Sequence, residues 1–593
     1  MAASHLEADS AQAQMSSDFK SAEERFRALT ASTRSLIDEL IGNLPTRGVD
    51  PALLIASLTD SPDSRKALAG LQTHYYQEWF RLWSEGTDSS TTADRRFDAP
   101  EWQELPWFRT LRRAYELNAA YLNGIAEISR LEPEEKHRLR YLVQQITDAM
   151  APTNFASTNP ESIKKAIETG GQSLVRGFEL LSEDIARGRI SMSDESAFKV
   201  GGNLATTPGD VVFENEVMQL IQYKAQTAEV YERPLLIIPP FINKYYIFDL
   251  QPENSFVRYC VEQGFTTFIV SWRNIPESLG HLTWDDYLDQ GVLQTLDAVR
   301  EITGSLTVNT LGFCVGGTLL STALAVLAAK KRKPVHSVTL LASMLDFSDT
   351  GDISVYIDAD YVQHVESRYG QGGLIPGSRL ATTFAMLRAN DLVWHFVVNN
   401  YLLGRPPRAF DLLYWNADGS NLPGPLYAFY IRNMYLENNL RVPGRLHLKG
   451  VAIDLSTIKM PAYVLATRED HIVPWKTAFN SAQLLGGRTE FVLGASGHVA
   501  GIVNPPSQNR RQYWTGGKAG HEDPEQWHTA AQQKAGSWWS HWSEWLSGYG
   551  GGTKPAARAT GNKKYPVIEP APGRYVLSRN DSASGGEAAG KNQ

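Results

Sequence analysis

The sequence predicts an α/β fold behind a helical N-terminal domain, and three observations carry that expectation. From about Pro208 onward, short β-branched and aromatic runs alternate with amphipathic helical stretches, the texture of a parallel sheet with crossover helices. Upstream, from Ser21 to about Gly201, apolar residues recur at i, i+3, i+4 and i+7, the period of helices packed on helices. Third, "VNTLGFCVGGTLL" (Val308 to Leu320) runs a strand into a glycine-flanked cysteine and straight out into an apolar helix.

A chain of 593 residues is too long for one ordinary domain. The first twenty residues are small and polar and are expected to be disordered, as is the tail 578–593, "SRNDSASGGEAAGKNQ". Between them, 21–200 forms the helical domain, with helices expected in "SAEERFRALTASTRSLIDEL", "ALLIASL", "SRKALAGLQTHYYQEWFRLW", "WFRTLRRAYELNAAYLNGIAEI" and "EEKHRLRYLVQQITDAM". Residues 201–577 are expected to form the α/β domain. Its strands are expected in "PLLIIPP" (Pro234 to Pro240), "TTFIVSW" (Thr266 to Trp272), "LTVNTLGFC", "VHSVTLLAS" (Val335 to Ser343), "PAYVLATRED" (Pro461 to Asp470) and "TEFVLGASGH" (Thr489 to His498). Between about 346 and 459 the strand rhythm is lost, and this aromatic, Gly/Pro-broken stretch reads as a cap inserted over the sheet. The tryptophan cluster "GSWWSHWSEWL" (Gly536 to Leu546) reads as a helix docked on the core, the alternative being an apolar surface for a partner.

Composition narrows the function. Hydrophobic residues at 42% and charged residues at 21% are those of a globular protein, and a net charge of −8 argues against a general nucleic-acid partner. Two cysteines, Cys260 and Cys314, make no disulfide framework, and no Cys/His cluster has metal-ligand spacing. No basic n-region followed by an apolar h-region opens the chain, so a cytoplasmic location is expected. The longest strongly apolar run, Thr318 to Ala329, is short of the roughly 18 to 20 residues that span a bilayer, so no transmembrane segment is expected.

The turn Gly312-Phe313-Cys314-Val315-Gly316 fits the G-x-nucleophile-x-G elbow, with cysteine at the apex. Strained backbone and tight packing demand glycine at the flanks, and the helix that follows favours a thiolate at its positive end. In the α/β-hydrolase arrangement the partners follow in the order nucleophile, acid, histidine, each after a core strand. Asp470 after "VLATRE" and His498 after "FVLGASG" stand at those places in that order, although Glu469 and His471 flank the acid and either could serve. The Val315 N–H is one expected oxyanion donor, and Phe241 or Ile242, after "PLLIIPP", the second. Cys260 lies on an apolar helix face and reads as structural.

A serine at the apex would suggest an esterase. A cysteine forms a thioester, which exchanges almost isoenergetically with another thioester such as an acyl-CoA and keeps the acyl group activated for an alcohol. The aromatic cap is suited to exclude water from such a transfer. Two other readings are open at this point. One is a thioesterase or polyester depolymerase that uses the same three residues on water, against which cysteine in place of serine argues. The other is a structural protein with an inert hydrolase fold, against which the intact Cys/Asp/His set argues.

The chain resembles the polyhydroxyalkanoate synthases over nearly its whole length. The resemblance rests on "DRRF" with the following "W…P.F" (Asp94 to Phe108), "APTNFASTNPE" (Ala151 to Glu161), "PPFINKYYIFDLQPENS" (Pro239 to Ser255), "VSWRN" (Val270 to Asn274), "GFCVGG", "DLLYWN", "REDHIVPW" (Arg468 to Trp475), "SGHVAGIVNPP" (Ser496 to Pro506) and "PAPGRYV" (Pro570 to Val576). It implies an α/β-hydrolase fold, with Cys314 as nucleophile, Asp470 as the acid and His498 as general base. The family more often has tyrosine where this chain has Phe313. The long helical N-terminal domain is similar to that of the class I enzymes, and class II shares the architecture. What the resemblance implies is polymerisation of (R)-3-hydroxyacyl-CoA, expected to be short-chain such as 3-hydroxybutyryl-CoA, with release of CoA and with no metal or dissociable cofactor. It also implies a homodimer at the surface of an intracellular polymer granule, in contact with the growing polyester, with granule-associated proteins as candidate partners.

Overall fold

The computed structural model describes residues 48–84, 93–517 and 523–579. The expected disordered N-terminus 1–20, the first expected helix (21–40) and the tail from 580 onward lie outside the described residues. The described residues divide into two compact units, those up to 192 with 388–408, and those of 193–387 with 409–579.

Within its described residues, the first unit is built on helices α1 (Pro51–Thr59), α2 (Pro62–Ser84), α3 (Pro106–Ile128), α4 (Pro133–Ala149), α5 (Pro160–Glu168) and α6 (Gln172–Arg187). Their starts follow local rules. Proline occupies the first turn of α1, α3, α4 and α5, where its missing N–H has no intrahelical acceptor to lose. Asn159 caps α5 by accepting from the N–H groups of Glu161 and Ser162.

Residues 388–408, expected to belong to the cap, belong to this helical unit. Asn390 donates to Asp148 (2.7 Å), Asn400 to the Ser191 carbonyl (2.8 Å) and Tyr401 to Asp184 (2.7 Å). Gly177 on α6 lets the Tyr401 carbonyl approach so closely that a Cβ would lie 2.0 Å from it. These are pairings over two hundred residues of sequence, which no local pattern announces.

The second unit is organised by an 11-stranded sheet. Its strands are β1 (Gly209–Glu214), β2 (Met218–Tyr223), β3 (Leu235–Ile238), β4 (Thr267–Trp272), β5 (Val308–Phe313), β6 (Val335–Leu341), β7 (Ala462–Thr467), β8 (Thr489–Gly494), β9 (Gln512–Thr515), β10 (Gln532–Ala535) and β11 (Glu569–Pro570). In space they run β10-β9-β8-β7-β6-β5-β3-β4-β2-β1-β11. The strands β8-β7-β6-β5-β3-β4 are parallel, and they are the ones visible in the sequence as continuous apolar runs. Antiparallel pairs extend both edges. Successive residues of β3 enter opposite cores: Leu236 and Ile238 join one hydrophobic cluster, Leu235 and Ile237 the other.

Helix α7 (Val315–Ala329) follows β5 and is buried along almost its whole length. In the cap, α8 (Ala359–Tyr369) packs against α9 (Gly424–Tyr430), which continues into a π-helical turn, Ile431–Leu436. The tryptophan segment is a core-docking helix, α10 (Trp538–Ser547), with Trp538, Trp539 and Trp542 buried. Each indole N–H finds an acceptor: the carbonyls of Gly501 and Ile502 and the Thr339 hydroxyl. Ser578 and Arg579, expected within the disordered tail, are held instead, the first by Lys244 (2.7 Å) and the second against Tyr414. Among the described residues no helix is long and apolar enough to cross a membrane.

Candidate active site

In chain order β3 is followed by its neighbour β4 on one side, and then the chain crosses to β5 on the other. The carboxyl ends of β3 and β5 therefore flank the point where the winding reverses, the place where open α/β sheets form a crevice. Ile238 pairs in register with Gly312, so the loop after β3 and the turn after β5 emerge side by side.

At the end of β5 the chain turns through Cys314, whose φ of 53° and ψ of −130° are strained for a residue with a Cβ. The glycines around it are required by contact. A Cβ on Gly312 would lie 2.5 Å from Gly317 Cα, and one on Gly316 would lie 2.5 Å from the carbonyl oxygens of Ile238 and Pro239. Gly317 is equally constrained, by Ser343 Oγ at 2.1 Å, a need the five-residue motif does not express. The turn leaves Cys314 partly exposed at the N-terminus of α7, while Cys260 is wholly buried and burial pushes its thiol well above the ordinary range.

Asp470 and His498 come together across the loops after β7 and β8. Backbone bonds tie those loops, Arg468 N–H to the Gly494 carbonyl (2.8 Å) and Glu469 N–H to that of Ser496 (3.0 Å). His498 Nδ1 donates to Asp470 Oδ2 at 2.7 Å, and both side chains are buried. The other carboxylate oxygen accepts the N–H groups of Ile472 and Val473, both at 2.8 Å, which fixes the acid's orientation. The neighbours Glu469 and His471 are not at this bond. Burial alone would depress the His498 pKa, but the Asp470 charge and then Cys314 overcome it and push it up to about 10.

Three contributions to the site lack a local signal. Phe313, the residue before the cysteine, stacks on the His498 ring with centroids 5.2 Å apart and forms a wall for the histidine. Trp538 and Trp539 bond the backbone of Gly501 and Ile502, bracing the segment just after His498. Tyr430 and Tyr435 from the cap lie within electrostatic reach of Cys314. Only the aromatic richness of the cap hinted at the last pair.

Among the described residues the N–H groups of Val315, Phe241 and Ile242 make no backbone hydrogen bond, so the choice between Phe241 and Ile242 as the second donor stays open. The loop carrying Phe241 and Ile242 is anchored from several sides. Ser420 N–H donates to the Ile242 carbonyl (2.8 Å), Trp415 Nε1 to that of Lys244 (2.7 Å), and Trp272 Nε1 to that of Pro239 (2.8 Å). Burial lowers the Lys244 pKa to about 8, with Asp418 opposing the shift. Among the described residues no group of three or more His, Cys, Asp or Glu is placed to hold a metal ion.

A sheet of this topology, an elbow after its fifth strand and an acid and a histidine on later strand ends define an α/β-hydrolase fold, and residues 233–505 match the family model described by that name. Residues 93–260 match the model described as "Poly-beta-hydroxybutyrate polymerase (PhaC) N-terminus". The chain is 49% identical over 522 residues to the poly(3-hydroxyalkanoate) polymerase subunit PhaC of Cupriavidus necator, covering 86% of this chain and 88% of that one. It is 40% identical over 489 residues to poly(3-hydroxyalkanoate) polymerase 1 of Ectopseudomonas oleovorans, covering 82% of this chain and 87% of the relative. Among solved structures, the monoacylglycerol lipase of Paleococcus ferrophilus aligns over 56% of this chain and 99% of its own at 13% identity, with a TM-score of 0.32. The chain belongs to the poly(3-hydroxyalkanoate) polymerase family and is an enzyme.

Proposed function

We propose that this enzyme polymerises (R)-3-hydroxyacyl-CoA, short-chain units such as 3-hydroxybutyryl-CoA foremost, through an acyl thioester on Cys314. The Asp470–His498 bond of 2.7 Å, beside an elbow whose apex is a cysteine, is the observation that carries the reading. In loading, His498 Nε2 takes the Sγ proton, the thiolate attacks the substrate's thioester carbonyl, and the oxyanion is received by the N–H of Val315 with that of Phe241 or Ile242. Collapse expels the CoA thiolate, which recovers the proton as free CoA. In elongation the 3-hydroxyl of an incoming acyl-CoA gives its proton to the same nitrogen and attacks the thioester on Cys314; the ester bond forms as the carbon–sulfur bond breaks, the Cys314 thiolate recovers the proton, and the lengthened chain, now on CoA, is loaded back onto Cys314 with release of CoA. Asp470 holds the Nδ1–H tautomer throughout and stabilises the imidazolium. The wall of Phe313 and the cap tyrosines favour transfer to an alcohol over water. A cytoplasmic homodimer at the surface of a polymer granule, with granule proteins as partners, completes the reading.

The test compares Cys314→Ala with Cys260→Ala, following CoA release and the mass of the intact protein. Cys314→Ala is expected to release no CoA and to carry no acyl group, while Cys260→Ala keeps most activity. Substantial turnover by Cys314→Ala would overturn the mechanism. Running 3-hydroxybutyryl-CoA beside 3-hydroxydecanoyl-CoA reads the chain-length preference directly.

A further inference from the structure

The loop from Pro239 to Lys244, between β3 and the short 3-10 helix Tyr245–Phe248, carries Phe241 and Ile242. It lies between regular elements, so its position is set by what holds it from outside. Three of its carbonyls are held by neutral donors: that of Pro239 by Trp272, that of Ile242 by Ser420 and that of Lys244 by Trp415. Asn243 adds a single antiparallel bridge to Gly419. The remaining tie is charged. Lys244, only 2% exposed, sends its ammonium to the Ser578 carbonyl at 2.7 Å, so the far C-terminal segment takes hold of the loop.

That segment is fixed on both sides of Ser578. Before it, β11 pairs with β1, Arg574 bonds Glu214 (2.7 Å) and Glu569 (2.9 Å), the Tyr575 hydroxyl donates to the Asn215 carbonyl (2.9 Å) and Val576 is buried. After it, the Arg579 guanidinium lies over the Tyr414 ring at 4.7 Å and stands 3.9 Å from Asp418 Oδ1 and from Glu195. Asp418 is buried and accepts from the hydroxyl of Tyr246, two residues past Lys244, at 2.9 Å. The loop, the segment 414–420 and the C-terminal residues therefore close a ring of contacts. Buried charges are costly to take out of water, and the best-attested use of such groups is to fix one arrangement among several. The mechanism above moves no proton through Lys244, Asp418 or Arg579.

We propose that Lys244 and Arg579 are positioning residues for acyl transfer: together with Asp418 they tie the C-terminal segment to the loop and so hold the second oxyanion donor, from Phe241 or Ile242, at the distance the tetrahedral oxyanion requires. This rests on the reading of the site given above. Its consequence is a split between two reactions of the same thiol. Transfer from a thioester passes through an oxyanion and needs the donor in place. Alkylation by iodoacetamide does not: the Cys314 sulfur attacks a saturated carbon, iodide leaves, and no oxyanion forms.

The experiment uses the full chain with Arg579→Ala, Arg579→Lys and Lys244→Met. It follows CoA release from 3-hydroxybutyryl-CoA, the rate of iodoacetamide alkylation at Cys314 read by peptide mass, and melting temperature. Arg579→Ala is expected to lower kcat about 5- to 30-fold, less than the 10²- to 10³-fold that accompanies loss of a whole oxyanion donor. Lys244→Met should approach a 10²-fold loss. In both, KM and the alkylation rate stay near wild type, and Arg579→Lys, which keeps a cation beside Asp418, recovers most of the loss. If Lys244→Met melts early, the partly exposed Arg579 pair of variants carries the test alone. Alkylation that falls in step with CoA release, a higher KM at unchanged kcat, or wild-type kcat in Arg579→Ala would each overturn the positioning role. Wild-type protein that is alkylated at Cys314 but releases no CoA from 3-hydroxybutyryl-CoA or 3-hydroxydecanoyl-CoA would instead overturn the polymerase reading itself.

Discussion

Replacing Asp470 with asparagine separates the two halves of the proposed reaction. In the native site Asp470 Oδ1 accepts two backbone N–H groups, from Ile472 and Val473, and Oδ2 accepts His498 Nδ1–H and the Thr467 hydroxyl. An asparagine keeps its carbonyl oxygen on the two backbone donors, because a flip would leave both unpaired at about 1 to 3 kcal/mol each. Its NH2 then faces His498 Nδ1, which must accept, and the ring proton moves to Nε2, the nitrogen facing Cys314. A ring protonated there cannot take a proton from an attacking alcohol. Wrong-tautomer variants of this kind lose about 10⁴ in kcat in serine proteases, so elongation is expected to fall about 10³- to 10⁴-fold, about 4 to 5.5 kcal/mol of barrier. Loading requires only a thiolate, a far weaker base than an alkoxide, which the N-terminus of α7 and the Nε2–H still stabilise; a fall of about 10- to 100-fold is expected. The assay is rapid-quench CoA release with intact-protein mass: Asp470→Asn should give an early stoichiometric release of CoA and an acylated Cys314 but almost no polymer. If loading and elongation fall by the same factor, or if His498→Ala shows the split and Asp470→Asn does not, this division of roles is wrong.

Two further outcomes follow from the same geometry. Because Cys314 is among the causes that raise the His498 pKa to about 10, Cys314→Ala should let the imidazole lose its proton at lower pH, seen as an earlier titration of its Cε1–H resonance; an unshifted titration would contradict the coupling. Gly316→Ala would place a methyl 2.5 Å from two backbone carbonyl oxygens, so α7 must lift from β3; a loss of about 3 kcal/mol, a lower melting temperature and reduced thiol labelling at Cys314 are expected, and wild-type melting would refute the packing argument.

Much of the site is legible in the sequence alone. The central parallel strands announce themselves as apolar runs because both of their faces are buried, and the elbow announces itself because its sterics admit only glycine at the flanks. The order Cys314, Asp470, His498 follows from strand succession, which is a property of the chain. Other features depend on which distant segments meet. The assignment of 388–408 to the helical unit turns on hydrogen bonds from Asn390, Asn400 and Tyr401 to residues more than two hundred positions earlier. That Asp470, among the three neighbours, bonds His498 is a matter of the Nδ1 bond and the two N–H groups behind the carboxylate. Phe313 against His498, the tryptophans bracing the loop after it, and the packed tyrosines of the cap carry no periodic or steric mark in the sequence, since an aromatic residue is equally consistent with any buried surface. A local signal exists where the backbone itself is constrained; which side chains surround the thiol is set by tertiary packing, because contacts between elements far apart in the chain leave no trace in the spacing of either.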